Sequence, residues 1–179
     1  MKFLFLDTET TGLSEPRLVQ LAYHVDGESM YSCGIFKPPK PIELQAQMTH
    51  HITEEMVADA PTFQGSPDFE RLQTLLNECV LVCHNAMFDI RVLKNEGLTV
   101  KHNLCTYLMA KKIYSLDNCH KLQYLRYKQK LNVQAQAHNA LGDIMVMEKL
   151  FKHMIDSIRQ RDGEEAALHF VHNSILTFA

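Results

Sequence analysis

The chain has 179 residues, of which 46% are hydrophobic and 22% charged, so it can bury one sizeable core and has the composition of a globular protein. Its apolar runs are shorter than the roughly 18 residues that a membrane span needs, and its N-terminus is too short in apolar residues for a secretory signal. We therefore expect a cytoplasmic protein with no membrane partner, whose five cysteines are free thiols rather than zinc ligands. The net charge of −3 does not by itself indicate a nucleic-acid partner.

Three strands that follow one another as a meander are predicted over residues 2–8, 17–26 and 28–36. In the first of them, Phe3 and Phe5 point to one face and Leu4 and Leu6 to the other, which is typical of a strand covered on both sides. The Asp26-Gly27 pair predicts the hairpin turn between the second and third strands.

Strands and helices alternate in the remainder of the chain. A short helix is predicted after Thr53, and longer helices begin at Pro67 and after Asn85. The apolar patterns predict strands over 80–83 and 99–103, and helices over 104–114, 121–130, 139–161 and 164–176. This order predicts an α/β fold with a mixed five-stranded sheet between helices, in a single domain over residues 1–179.

Two carboxylates, Asp7 and Glu9, end the first strand and lie two residues apart, on the face of Phe3 and Phe5. Carboxylates that are close together and shielded from water repel each other and lose hydration, and a divalent cation removes both penalties. A purely structural alternative is that Asp7 ends the strand and Glu9 caps a turn.

Two later motifs place further acids where a metal site could use them. A His-Asn-Ala-Met-Phe-Asp block runs from His84 to Asp89, and a His-Asn-Ala-Leu-Gly-Asp block runs from His138 to Asp143. With the Asp-x-Glu pair of the first strand, these blocks resemble the three motifs of the DEDDh 3′–5′ exonuclease superfamily, which includes polymerase proofreading subunits and RNA-trimming enzymes. The resemblance implies a ribonuclease H-like sheet in the order 3-2-1-4-5.

The resemblance also implies the catalytic roles. Asp7 would bridge two divalent cations, Mg²⁺ or Mn²⁺; Glu9 and Asp143 would complete the site that holds the attacking water; and Asp89 would hold the second cation. His138 would be the general base. Since His138 and Asp143 would diverge by about 140° on one continuous helix, we expect His138 on the loop before the helix, with Asn139 as the N-cap.

A set of substrate contacts is implied as well. The 3′-terminal nucleotide would lie across Thr8, Thr10, Thr11 and Leu13, with Phe88 as a stacking ring and with His50, Ile52, His84 and Asn85 around it. Phe88 could equally belong to the core, since it shares a helical face with other apolar residues. The loop after His50 carries His51 where relatives have glycine, so its backbone conformation is left open.

The function that we predict is metal-dependent 3′–5′ hydrolysis of single-stranded or frayed DNA ends to nucleoside 5′-monophosphates. An RNA-trimming exonuclease and a degenerate exonuclease fold that only binds nucleic acid are the alternatives. Between positions 91 and 130, nine Lys and Arg residues stand against two acids, which is typical either of a phosphate-facing surface or of solvated helix faces. A polymerase subunit is a compatible partner, although we identify no segment comparable to the polymerase-binding tail of the proofreading subunit.

Overall fold

The computed structural model describes residues 1–178, which form an α/β fold around one mixed sheet. Its strands are β1 (Phe3–Thr10), β2 (Leu18–Val25), β3 (Ser32–Ile35), β4 (Val80–Cys83), β5 (His102–Cys105) and β6 (Ile175–Thr177). The spatial order is β3-β2-β1-β4-β5-β6. The predicted order 3-2-1-4-5 is therefore confirmed, and a sixth strand extends the sheet at one edge.

The helices are α1 (Leu44–His50), α2 (Glu54–Val57), α3 (Pro67–Glu78), α4 (Ala86–Asn95), α5 (Thr106–Ile113), α6 (Leu122–Lys128), α7 (Ala140–Asp162) and α8 (Glu164–Ser174), with a 3₁₀ turn at Phe63–Gly65. Helix α1 was missed in the sequence because its buried residue is a histidine, His50, which leaves it without the apolar periodicity that marks a helix. Across residues 1–178, none of the helices combines the length and apolar character of a membrane span. The five cysteines are free thiols.

Strand β1 separates two apolar layers. Leu4 and Leu6 pack into the layer that contains α3 and α4, whereas Phe5 packs into the layer that contains α7. Phe151 of α7 meets Phe5 edge-on, with 5.6 Å between ring centroids. Because side chains alternate along a strand, the next residues on the Phe5 face, Asp7 and Glu9, also point toward α7.

Strand β1 also extends beyond its parallel neighbour. Its pairing with β4 ends at Phe5, opposite Val82, while its antiparallel pairing with β2 continues through Glu9, opposite Gln20. On the β4 side, the second half of β1 therefore borders the start of α4 instead of another strand. This leaves Asp7 and Glu9 at an edge where side chains from helices can reach them.

The end of the chain differs from its prediction. The last helix stops at Ser174, and residues 175–177 pair antiparallel with β5, with Ile175 opposite Leu104. β-branched residues such as Ile175 favour strands, and the backbone groups along the edge of β5 provide the partner.

Strand β5 itself lies later than predicted, because its parallel register with β4 places Leu104 and Cys105 opposite Val82 and Cys83.

Candidate active site

Three carboxylates meet at the end of β1. Asp7 and Glu9 are half-buried on the strand, and Asp143 is buried in the first turn of α7, which lies on the same face of the sheet. One carboxylate oxygen from each of the three lies within 4.8 Å of the others. Hard oxygen ligands at this spacing suit Mg²⁺ or Mn²⁺.

Asp89 approaches the same strand from the other side. It lies in the first turn of α4 and is 3% exposed, and the Thr8 hydroxyl donates a 2.8 Å hydrogen bond to its Oδ1. Thr8 sits between Asp7 and Glu9 in the chain, so its side chain points to the opposite face of β1. Asp89 is thus held near the three-carboxylate group without belonging to it.

The charges of these four acids oppose one another. Burial, followed by repulsion from Asp89, Glu9 and Asp143, raises the pKa of Asp7 well above its usual range. Burial and then the Asp143 and Asp89 charges raise the pKa of Glu9 to about 8. A bound cation would offset both the lost hydration of these carboxylates and their mutual repulsion, so this donor set fits a divalent metal.

His138 lies where the sequence predicted, on the loop before α7. Its backbone is left-handed, with φ of 57°, and its N–H donates to Asp143 Oδ2 at 3.1 Å. Asn139 caps the helix, its side chain accepting from the Gly142 N–H at 3.3 Å. The His138 side chain is exposed, and the loop brings it beside Asp143 without placing it on the helix.

Two glutamines that the sequence did not single out position this part of the site. Gln123 of α6 donates from Nε2 to Asp143 Oδ1 at 2.6 Å. Gln20 of β2 accepts from the Ala140 N–H at 3.0 Å, which joins the strand residue opposite Glu9 to the first turn of α7. Their role depends on strand register and helix docking, so no local pattern in the sequence could have indicated it.

Helix α6 also holds the loop that carries His138. Arg126 donates to the carbonyl oxygens of Val133 and Ala135. A β-carbon added at Gly142 would lie 2.4 Å from the Gln136 carbonyl oxygen, so glycine permits the close approach of α7 to this loop.

The predicted threonine contacts are directed into the protein. Thr8 donates to Asp89, Thr10 donates to the Gly12 carbonyl at 3.0 Å, and Thr11 accepts from the Arg17 N–H at 3.1 Å. All three side chains are buried. Their hydroxyls therefore order the acid cluster and the following loop.

Two histidines that were predicted to contact substrate are likewise engaged by the protein. His50 faces the Thr10 carbonyl through Nε2 at 3.1 Å and accepts from the Ile52 N–H through Nδ1, and burial lowers its pKa. His84 lies between the His120 carbonyl and the Thr106 hydroxyl, both at 2.9 Å, and burial lowers its pKa to about 4. Both rings use their two nitrogens for hydrogen bonds within the protein.

The remaining predicted contacts separate into exposed and buried groups. Leu13 is 76% exposed, and Phe88 is partly buried against the core. Ile52 is 4% exposed and packs with core residues, so little of its side chain is accessible to a base. His51 adopts the left-handed conformation usual for glycine, with φ of 61°, at a cost of about 1–2 kcal/mol.

Asn85 begins α4 in a left-handed conformation, with φ of 72°, instead of the extended conformation of a side-chain cap. It remains exposed and lines a groove together with Phe88 and Arg91. The groove therefore begins at the helix that carries Asp89.

A cluster of acids at the end of a central strand, with a histidine beside it, is an arrangement typical of metal-dependent phosphodiester hydrolases. The family model described as Exonuclease (RNase_T) matches residues 4–151. The chain belongs to this exonuclease family and is a nuclease, in agreement with its resemblance to the DEDDh enzymes.

Several known proteins are similar to it. The DNA polymerase III subunit epsilon of Treponema pallidum is 34% identical over 176 residues, which cover 90% of this chain and 80% of that protein. A DNA polymerase III subunit epsilon-like protein of Rhodobacter capsulatus is 29% identical over 177 residues, but this chain covers only 25% of its length. A solved structure of exonuclease X in complex with 5′ overhanging duplex DNA is 28% identical with a TM-score of 0.70, covering 94% of this chain and 99% of that one.

Proposed function

We propose that the protein removes nucleotides one at a time from the 3′ end of single-stranded or frayed DNA and releases nucleoside 5′-monophosphates. The observation that carries this proposal is the meeting of Asp7, Glu9 and Asp143, with Asp89 held on the other side of β1. The same geometry argues against a fold that only binds nucleic acid, because a binding surface has no need for clustered carboxylates that repel one another.

The four acids would hold two divalent cations, Mg²⁺ or Mn²⁺. Asp7, Glu9 and Asp143 would surround one of them, and Asp7 with Asp89 would serve the other. Such a pair supplies positive charge to both the attacking and the leaving oxygen of an in-line displacement. Thr8 would orient Asp89 and Gln123 would orient Asp143, through the hydrogen bonds described above.

His138 would accept the proton of the attacking water. The backbone N–H of His138 donates a hydrogen bond to Asp143, a carboxylate that would ligate a cation. The histidine is therefore held close to the water that this cation would bind. The His138 side chain is exposed, so a substrate bound over the site would contact it and place it beside the attacking water.

DNA is the proposed substrate on two grounds. The similar exonuclease X was solved with duplex DNA, and several relatives are named as DNA polymerase subunits. The exposed Leu13 and the ring of Phe88 provide apolar contacts for a terminal base without reading its hydrogen-bonding edge. We therefore propose that the enzyme has little sequence preference.

A polymerase is a proposed partner, because relatives are named as DNA polymerase III subunits, and co-purification tests it.

A single exonuclease domain is the proposed organisation. Helix α8 and strand β6 follow the family match at residues 4–151, yet β6 completes the same sheet as the catalytic strand. This continuity supports treating residues 1–179 as one unit.

The test is digestion of one single-stranded DNA labelled at either end, with Mg²⁺ or Mn²⁺. The proposal expects immediate release of a labelled mononucleotide from the 3′-labelled strand and a shrinking ladder from the 5′-labelled strand. Asp7→Asn, purified in parallel, controls for contaminating nucleases. Binding without hydrolysis would favour the binding-module alternative, and faster digestion of a matched RNA would favour RNA trimming.

A further inference from the structure

The loop between β1 and β2, residues 11–17, is called the wedge loop here because Leu13 protrudes from it. Three side chains of the α4 region hold this loop. Arg91 donates to the Leu13 carbonyl at 3.2 Å, and Asn95 donates to the Pro16 carbonyl at 3.0 Å. Glu96, directly after the helix, provides the third attachment.

Glu96 anchors the base of the wedge loop. Its carboxylate is 3% exposed and accepts from Arg17 Nε at 2.9 Å, from Arg17 Nη2 at 3.0 Å and from the Leu18 N–H at 3.0 Å. Gln64 donates to the same carboxylate at 2.6 Å. A buried carboxylate with four donors, one pair of them bidentate, fixes its partners in place.

The tip of the wedge loop is held differently. The guanidinium of Arg91 donates to Leu13 and at the same time lies over the ring of Phe88, 5.4 Å from its centroid. Leu13 is an exposed apolar side chain and Phe88 is a partly buried ring, and the exposed side chain of Arg91 contacts both residues. Asp89 lies on the same helix, two residues before Arg91. Helix α4 therefore fixes the positions of Phe88 and Arg91 relative to Asp89.

We propose that Arg91 is a positioning residue that joins Leu13 and Phe88 into a two-sided slot for the 3′-terminal base. The inference rests on the proposed function and names the part of the substrate that the slot recognises, the aromatic base rather than the phosphate or the sugar. A planar guanidinium can lie flat on a ring and donate sideways, whereas a lysine ammonium can do only one of these.

The experiment removes the base and the arginine separately and together. Two single strands are compared, one with a normal 3′-terminal nucleotide and one with an abasic 3′-terminal sugar, using wild type, Arg91→Met and Arg91→Lys. In the wild type, the abasic end should show a higher KM. In both variants the ratio of KM between abasic and normal ends should fall by about five-fold or more, the size of one lost base stack, with kcat on the abasic strand unchanged.

Lys94→Met is the matched control, since Lys94 is an exposed cation one turn further along α4. It should leave the KM ratio as in wild type. Equal weakening of both substrates by Arg91→Met, or full recovery in Arg91→Lys, would show a phosphate contact and overturn the slot. A wild type that does not distinguish the two ends would overturn it as well, whereas a wild type that releases no mononucleotide would contradict the proposed function itself.

Discussion

Asp7 stands at the centre of the acid cluster, and its surroundings disfavour its charged form. Burial and three neighbouring carboxylates raise its pKa, so its charge has a cost when no cation is bound. The same feature that makes the residue useful for holding a cation makes it unfavourable for the stability of the empty fold.

Asp7→Asn is therefore expected to abolish turnover and to stabilise the metal-free protein. Loss of a bridging ligand should cost more than the roughly 10–100-fold that the loss of an outer hydrogen-bond partner costs. Removal of one repelling charge should add about 0.5–2 kcal/mol to the free energy of unfolding in EDTA. Steady-state rates and thermal melts of the same preparation measure both effects. An asparagine variant that is inactive but less stable would mean that Asp7 has a structural role that we have missed.

His138→Ala should reduce kcat by about 10²–10⁴-fold, the usual contribution of a positioned general base. Because a general base accepts a proton only in its unprotonated form, the wild-type rate should fall as the pH is lowered, and the variant should lose that part of the pH dependence. His172→Ala, on the exposed side of α8, is the control for removal of a histidine. An unchanged pH profile in the His138 variant would assign the base to another group.

At the level of elements, the first turn of α7 depends on groups from two others. Gln20 of β2 binds the Ala140 N–H, and Gln123 of α6 binds Asp143. The helix that carries an active-site acid is therefore aligned from both the sheet and the neighbouring helix.

Gln123→Leu, which keeps the side chain's bulk and removes its hydrogen bond, should weaken Mn²⁺ binding by about 10–100-fold. Isothermal titration of the protein with Mn²⁺ measures this without recourse to activity. Gln129→Leu, at the other end of α6, should bind Mn²⁺ as the wild type does. Equal affinities of the wild type and the Gln123 variant would show that Asp143 keeps its orientation without this partner.

The sequence predicted the parts of the site that local spacing determines. Asp7 and Glu9 share a face because strand side chains alternate, and His138 must precede α7 because a helix would turn it away from Asp143. The roles of Gln20 and Gln123 arise from strand register and helix docking, which local patterns do not contain. Neither could a motif show that His50 and His84 use their ring nitrogens inside the protein.

For the whole molecule, the acid cluster links stability to pH. The pKa of Glu9 rises from 4.5 to about 8 on folding, so between these values this carboxyl group binds more protons in the folded protein than in the unfolded one. Stability should then be greatest at low pH within this interval and should decrease as the pH rises toward 8.

The melting temperature in EDTA should therefore fall between about pH 5 and pH 8, and Mg²⁺ or Mn²⁺ should raise it more at pH 8 than at pH 5. Glu9→Gln should flatten the dependence in EDTA. Calorimetric scans at several pH values, with and without cation, provide the comparison. A wild type whose stability rises with pH in EDTA would contradict the assigned direction of the Glu9 shift.

Strand β6, which was not predicted from the sequence, affects how readily copies of the molecule associate. β6 covers the side of β5 with three residues, and the opposite border of the sheet is the four-residue β3. Short edge strands present too few unpaired backbone groups for another chain to add a stable strand, and this commonly protects proteins against aggregation. Deleting residues 175–179 would bare β5, whose Leu104 and Cys105 are buried, and light scattering of the shortened protein should show self-association.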